Sequence, residues 1–515
     1  MNARSKNGQL TFESALESKE DIKSEVLTSN ETDTQSRVVR VLPDVPAINK
    51  PFDYAVPQSW IEDGRADHIK IGTMVRVPFS GRQVNGWVLE VDIQPEEGIN
   101  LLPLSKYRSV GPSEEVIELA YWASNRWVGR LNRFLTTASP PKNVSSLEKH
   151  QAASRKVNND GYETVWFHEV AKRKEAVLRL PPSLDAVSIA SEFVIKGNTL
   201  ILSPSISGAH KLAAGLKRMG LHVSVVPEQW QNAAVGGSVV GSRSAAFAPI
   251  VDLSAVVVFD EHDNSYQEER TPTWNARDVV IERANRKEIP CVLISAIPSL
   301  EALSWGHQIK LPRKEEREGW PIVEIIDRRV DDPTRSGLLS EKLTSILRES
   351  EGPVICILNR KGRSRLLACD RCGSLARCEK HQIPLTQRED HALECTSGCE
   401  NRPVVCDFCG STKFKNLRAG IARLREELQA LSKKKVVEIS SDSKGEIPDS
   451  DIYIGTEAAL HRVERASHIV FLEFDQELLA PRFRAAEQAA SLLIRSARIL
   501  GKRNEGGRLI VQTRQ

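Results

Sequence analysis

No stretch of this 515-residue chain approaches the roughly 18 consecutive apolar residues of a membrane-spanning helix. Its N-terminus has no apolar core followed by a cleavage site. A membrane or exported protein is therefore not expected, and the expected location is cytoplasmic. A strong charge of one sign is also missing. The 71 Lys and Arg face 68 Asp and Glu, a formal net charge of +3. That is too mild to establish nucleic-acid binding, although it allows a local basic face. One further absence matters more. The phosphate-cradling pattern G-x-x-x-x-G-K-[ST] occurs nowhere in the chain. The only Gly-Lys pair, Gly501-Lys502, is followed by Arg503 near the C-terminus and does not open a helix after a strand.

What is present fits a soluble globular chain of about two to four domains, with 27% charged and 40% hydrophobic residues. Cysteine is concentrated. Seven of the nine fall between Cys369 and Cys409. They read C-D-R-C, C-E-K-H, C-T-S-G-C and C-D-F-C, which gives the pairs Cys369/Cys372, Cys378/His381, Cys395/Cys399 and Cys406/Cys409. Two ligands separated by two to four residues converge on one metal through a tight knuckle. Tetrahedral zinc takes two such pairs, so the expectation is two Zn²⁺ per chain. Reduced thiols in a cytoplasmic protein favour metal over a disulfide framework. Cys291 and Cys356 lie in the apolar runs I-P-C-V-L-I and V-I-C-I-L and read as inert strand residues.

Residues 1–36 are rich in Ser, Glu, Lys, Asn and Thr and read as a disordered extension. From 37 to 104 short strands punctuated by Gly and Pro predict a small β-domain. In it Arg76, Arg82 and Lys50 suit either phosphate contacts or a solvated basic edge. Residues 112–138 turn helical, with Ser113 as cap and Val116, Leu119, Ala120 and Ala123 on one face. Trp122 and Trp127 are expected to pack a core. After a polar linker at 142–160 the reading is α/β. Continuous apolar runs at 199–203, 222–226, 255–259 and 291–296 predict strands buried on both faces. A second set follows at 354–358, 435–439, 451–456, 469–474 and 508–513, and the cysteine stretch interrupts it. The predicted fold class is multidomain α/β: a small N-terminal β-domain, a helical unit, and two RecA-like lobes at 161–312 and 313–515, with a two-zinc module at 366–412 in the second.

The strand A-V-V-V-F delivers Asp260, Glu261, His262 and Asp263 at its C-terminal end, where ligands sit in open α/β sheets. In a nucleic-acid motor the Asp holds Mg²⁺ and the Glu polarises the attacking water. Where the phosphate loop should stand, the chain reads V-L-R-L-P-P-S-L-D-A, without glycine and with two prolines in the turn. Asp260 and Glu261 therefore read as degenerate remnants, with no catalytic and no cofactor-binding residue expected.

Several ordered motifs carry a resemblance. They are R-V-L-P-D-V-P, F-D-Y-A-V-P and V-R-V-P-F near the start, then V-V-G-S-R-S-A-A-F-A-P (239–249), F-D-E-H-D-N-S-Y-Q-E (259–268) and N-A-R-D-V (275–279). S-A-I-P-S-L-E (295–301), L-N-R-K-G (358–362), the cysteine stretch and P-R-F-R-A-A-E-Q (481–488) complete the set. From about 37 to 515 the chain resembles the PriA family of primosomal replication-restart proteins, in a degenerate form like that of actinobacterial members. The resemblance implies recognition of stalled or abandoned forks and D-loops, and help in reloading the replicative helicase away from the origin. Its implied partners are forked DNA, primosome proteins, the replicative helicase and the single-strand-binding protein.

The family's N-terminal domain holds a DNA 3′ end. The resemblance carries that role onto Phe52, Asp53 and Lys106, and implies a winged-helix-like unit over 105–145. The family's glycine after P-F is Ser80 here, with Gly81 next. By the family's pattern Cys369, Cys372, Cys406 and Cys409 share one zinc, and Cys378, His381, Cys395 and Cys399 share the other. His381 stands where the family has cysteine. The C-x-x-x-C spacing leaves His391 as an alternative to Cys399. The motor departs further. Ile297 replaces a threonine, G-T-E-A-A-L-H-R (455–462) keeps little of its counterpart, and the arginine-finger motif is reduced to L-L-I-R-S-A-R. The expectation is a DNA-structure-binding restart protein that has lost ATPase and helicase activity. Basic residues Arg360, Lys361, Arg363 and Arg365 suit phosphate contact or a solvated surface. The alternatives are an active ATP-dependent 3′-to-5′ DNA helicase, or a zinc-containing primosome scaffold with little DNA binding of its own.

Overall fold

The computed structural model describes residues 37–94, 100–147, 165–329, 338–359, 367–387, 392–395, 397–416, 421–439, 443 and 445–514. The extension expected at 1–36, most of the polar linker, His391, and Arg360, Lys361, Arg363 and Arg365 lie outside them.

The N-terminal sheet has β1 (Val38–Pro43), β2 (Phe52–Ala55), β3 (Met74–Phe79), β4 (Arg82–Val91) and β5 (Lys106–Ser109), antiparallel in the order β2-β1-β4-β3-β5. Side chains alternate across the pleat. In β3, Val75 and Val77 are buried while Arg76 between them is exposed. The Ala55 amide donates to the Leu102 carbonyl at 3.1 Å and the Leu104 amide to Ala55 at 3.0 Å, so the segment leading into β5 meets the far edge strand and the sheet curls on itself. Ser80 and Gly81 join β3 to β4, both in the left-handed region at φ 47° and 73°. That is the backbone a two-residue hairpin turn needs. Ser80 thus takes a left-handed conformation that glycine would adopt without steric penalty.

The helices Glu114–Arg126 and Leu131–Ala138 bury Val116, Leu119, Ala120 and Ala123, the face their periodicity predicts. Trp122 and Trp127 stack edge to face at 5.4 Å against the same core. Arg283 from the first lobe is fully buried; it pairs with Glu115 at 2.8 Å and donates to the carbonyls of Ala246 and Ala248. One continuous core runs from Leu42 and Trp87 through Val116 and Phe134 into Phe247 and Val279. The N-terminal sheet, the helical pair and the first lobe therefore pack as one body.

The first lobe is a seven-stranded parallel sheet. Its strands are β6 (Glu175–Arg179), β7 (Asn198–Leu202), β8 (Val223–Val226), β9 (Ser238–Gly241), β10 (Leu253–Phe259), β11 (Cys291–Ser295) and β12 (His307–Lys310), in the order β12-β6-β11-β10-β7-β9-β8. β6, β9 and β12 were not anticipated. Two are short runs with charged or glycine ends, and β12 is an edge strand whose one buried residue is Ile309.

The second lobe begins with β13 (Ile322–Asp327) and β14 (Val354–Ile357). The chain then leaves for the cysteine module, whose small strands are β15 (Leu367–Cys369), β16 (Thr386–Gln387), β17 (Ala392–Glu394), β18 (Arg402–Pro403) and β19 (Phe414–Asn416). It returns as β20 (Val436–Ile439), β21 (Ile452–Gly455), β22 (His468–Phe471) and β23 (Arg508–Thr513). The lobe is parallel in the order β13-β23-β22-β14-β21-β20, so the module interrupts it as expected. Cys291 and Cys356 lie buried in β11 and β14, and burial pushes the Cys356 thiol up to about 12. Among the described residues no helix is long and apolar enough to cross a membrane.

Candidate metal centre and candidate nucleotide site

Three of the four ligand pairs share one local geometry. In Cys369–Cys372, Cys378–His381 and Cys406–Cys409 the amide four residues on returns to the first residue's carbonyl: Gly373 to Cys369 at 2.9 Å, Gln382 to Cys378 at 2.8 Å and Gly410 to Cys406 at 2.9 Å. Each first residue's own amide donates to the residue five ahead, Ser374, Ile383 or Ser411, at 2.8–2.9 Å. The returning residues are left-handed, Gly373 at φ 75°, Gln382 at 55° and Gly410 at 70°, which glycine adopts without steric penalty. The tight turn aims both ligand atoms the same way. His381 thus occupies a regular knuckle. The fourth pair closes differently, Gly398 returning to Cys395 at 3.0 Å, which accommodates the extra residue before Cys399.

The pairs interleave into two clusters, Cys369, Cys372, Cys406 and Cys409, and Cys378, His381, Cys395 and Cys399. Within each, all ligand atoms lie within 4.8 Å of one another. Sγ of Cys369 is 3.4 Å from Cys409, Cys372 is 3.6 Å from Cys406, and Cys378 is 3.7 Å from Cys399. Nδ1 of His381 is 3.6 Å from Cys378, 3.6 Å from Cys395 and 3.3 Å from Cys399. A tetrahedral ion with metal–sulfur bonds of about 2.3 Å and metal–nitrogen bonds of about 2.0–2.1 Å separates its ligands by about 3.6–3.8 Å. The residues therefore fit a four-coordinate ion in each cluster, with Nδ1 as the histidine donor. The amide of His381 is the largest influence on the Cys378 thiol and holds it down to about 6, toward the thiolate that a metal requires. The apolar residues Leu367, Ala376, Leu385 and Leu393 pack together with Cys378 and Cys395 of the inner cluster.

The strand–loop–helix position that a phosphate loop would take is occupied by the chain's own side chains. β6 leads through Leu180–Asp185 into the helix Ala186–Lys196, the strand–loop–helix position of a phosphate loop. A helix N-terminus attracts an anion, and here the Asp185 carboxylate supplies it, accepting from the Val187 amide at 2.9 Å and the Ser188 hydroxyl at 2.7 Å. Pro181 and Pro182 have no amide hydrogen to offer a phosphate. The loop is also covered. A Cβ on Gly319 would sit 2.4 Å from the Pro181 ring, Ser183 donates to the Gly319 carbonyl at 2.8 Å, and Arg179 pairs with Glu316 at 2.6 Å.

Glu261 is buried and fully engaged. Its carboxylate accepts from the Ser299 amide at 2.6 Å, the Ser299 hydroxyl at 2.8 Å and Arg277 Nη1 at 3.1 Å. It holds the start of the helix Leu300–Trp305 and balances a buried guanidinium. The neighbouring motif is wired the same way, Ser295 Oγ lying 2.7 Å from His262 Nδ1 and accepting from the Ile297 amide at 3.0 Å. Both oxygens of Asp260 accept from Arg498 of the second lobe, and Asp263 meets Arg495 at 3.5 Å. Arg495 also lies 2.7 Å from His461 Nε2, and Arg484 pairs with Glu301. Sequence reasoning missed these arginines as partners. Arg495 and Arg498 stand in L-L-I-R-S-A-R and Arg484 in P-R-F-R-A-A-E-Q, but neither motif points to the distant acids they meet.

In the N-terminal sheet Phe52 packs edge to face against Phe79 at 5.3 Å, while Tyr54 donates to the Pro78 carbonyl at 3.2 Å. Asp53 is held by Arg40, at 2.8 and 3.2 Å, and Arg40 also bonds Glu90. Lys106 is exposed on β5, paired in register with Arg76. The curl of the sheet, closed at Ala55 and Leu102–Leu104, turns the edges that carry these residues toward one another.

Residues 40–140 match the family model of a PriA 3′ DNA-binding domain. The chain is 27% identical to the probable replication restart protein PriA of Mycobacterium tuberculosis, over 90% of its own length and 78% of that protein. It is 29% identical to the replication restart protein PriA of Bacillus subtilis over 53% of its length, and spans only 38% of that relative. Among solved structures it is similar to yeast Dbp5 bound to RNA and ADP BeF3, at 12% identity and a TM-score of 0.36, covering 66% of this chain and 79% of that one.

Proposed function

Starting from a chain that is a relative of the PriA replication restart proteins and carries their 3′ DNA-binding domain, we propose that it recognises abandoned forks and D-loops by their 3′ ends and does so without an ATP-driven motor. It would then help reload the replicative helicase at non-origin sites, together with primosome proteins and the single-strand-binding protein. Phe52, Asp53 and Lys106 would form the 3′-end pocket. Each cysteine cluster would hold one Zn²⁺, which supplies a structural cross-link between knuckles rather than chemistry on a substrate.

The observation that supports this reading best is the contrast between a 3′ DNA-binding domain matched over 40–140 and a phosphate-loop position filled by Pro181, Pro182 and Asp185. Without the glycines, the lysine and the free amides, a triphosphate loses its main anchor. The reading is tested by fluorescence anisotropy with a fork carrying a 3′ end at its junction, compared with plain duplex. The fork should bind more tightly, and affinity should fall steeply with salt as phosphate neutralisation requires. Equal, salt-insensitive binding of both would sink the proposal and favour an assembly scaffold.

A further inference from the structure

The helix Ala485–Leu500 and the arginine that caps it reach the first lobe at three points: Arg484 to Glu301, Arg495 to Asp263 and Arg498 to Asp260. These positions are 11 and 3 residues apart, so at 3.6 residues per turn they stand within about 60° of one another on the helix. Their partners come from two neighbouring strand ends of lobe 1. Asp260 and Asp263 follow β10, and Glu301 opens the helix after β11. Each contact is occupied on both sides. Arg498 uses both terminal nitrogens on both oxygens of Asp260, and Asp263 also caps its own turn through the Ser265 amide at 2.9 Å. A divalent cation at these carboxylates would have to compete with a guanidinium that already balances their charge.

We propose that these three arginines form a latch that holds the two lobes in one arrangement without nucleotide or magnesium. The guanidinium groups bring to Asp260 and Asp263 the positive charge that a metal would otherwise supply. They join the lobes directly where a motor joins them through a bound triphosphate. The inference rests on the reading that the nucleotide site is lost, and it adds a purpose for the residues that remain. The N-terminal sheet shares a core with lobe 1, and the cysteine module is carried by lobe 2 between β14 and β20. The latch therefore fixes the metal module relative to the DNA-end domain. Arg484, Arg495 and Arg498 are positioning residues in this scheme.

The test is amide hydrogen exchange on the full chain, with small-angle scattering for its radius of gyration. In the wild type, exchange at 259–263 and 485–500 and the radius should be the same with and without magnesium and ATP. The double variant Arg495→Asp/Arg498→Asp should speed exchange in both segments at least severalfold and enlarge the radius, while β14 and β22 stay protected. Adding Asp260→Arg and Asp263→Arg should restore both readouts. If the double variant loses protection in β14 and β22, Glu301→Arg alone and with Arg484→Glu decides by the same loss and rescue. Unchanged exchange and radius in the unlatched variants, or no rescue by the swapped charges, would overturn the latch. ATP turnover by the wild type would instead overturn the loss of the motor, so the two failures are distinguishable.

Discussion

The cysteine module and the cleft between the lobes meet charge in opposite ways. In the module the ligand atoms of each set converge within 4.8 Å of one another, with no Lys or Arg side chain among the described members of either set, and the His381 amide holds the Cys378 thiol toward the thiolate. In the cleft every acid that would serve a motor is matched by an arginine of the chain itself: Glu261 by Arg277, Asp260 by Arg498 and Asp263 by Arg495. A site kept for a ligand leaves its donors convergent and unpaired. Buried acids with no ligand to balance them are satisfied from within the chain, because an unpaired buried charge costs several kcal/mol.

The contrast can be broken first at the metal. Cys406→Ser should lower the metal content from two ions to one, and chelation of both should unfold the module. Binding of a structural zinc is worth about 10–16 kcal/mol in isolated modules. Metal analysis with hydrogen exchange across 367–416 reads this, and undisturbed protection after chelation would remove the inference. The next largest effect belongs to the cleft. Glu261→Ala takes the buried carboxylate from Arg277, which keeps only Asp278 at 3.2 Å and the Ser299 hydroxyl at 2.9 Å, and leaves the Ser299 amide without its acceptor; it should destabilise lobe 1 by about 3–5 kcal/mol. A variant as stable as the wild type would mean that Glu261 is free, as a catalyst would be.

Smaller effects sharpen the picture. Phe52→Ala should weaken binding to a fork with a 3′ end by about 1–3 kcal/mol, the worth of one base stacked on an aromatic ring, and leave duplex binding unchanged. Equal losses on both DNAs would deny Phe52 a role at the 3′ end. The mildest change is His381→Cys. It restores a four-thiolate site in the same knuckle, so the ion count should stay at two, while the cobalt-substituted protein gains thiolate absorption. Loss of an ion would show that the histidine is required and not merely tolerated.

Local features were legible in the sequence and distant ones were not. The knuckles are set by two- to four-residue spacings and a following left-handed residue, so the four ligand pairs stand out directly. Their interleaving came from family resemblance, and the structure brings the same sets together, Cys399 included. Strands buried on both faces announced themselves as apolar runs at β7, β10, β11, β14 and β22. β6 and β9 were missed because their buried apolar runs are short and end in charged residues or glycine, and β12 and β13 because they are edge strands with little burial. β5 stands in the stretch expected to be winged-helix-like, yet it completes the N-terminal sheet through pairing with β3. The latch was invisible because its partners lie far apart, Asp260 and Arg498 by 238 residues. Only the parallel sheets bring those strand ends and that helix together.

The most direct measurement is ATP hydrolysis by the purified, metal-loaded chain in the presence of magnesium and forked DNA. A cleft closed by its own arginines predicts no turnover above the protein-free baseline, with or without DNA. DNA-stimulated turnover that is abolished by Glu261→Gln would contradict it.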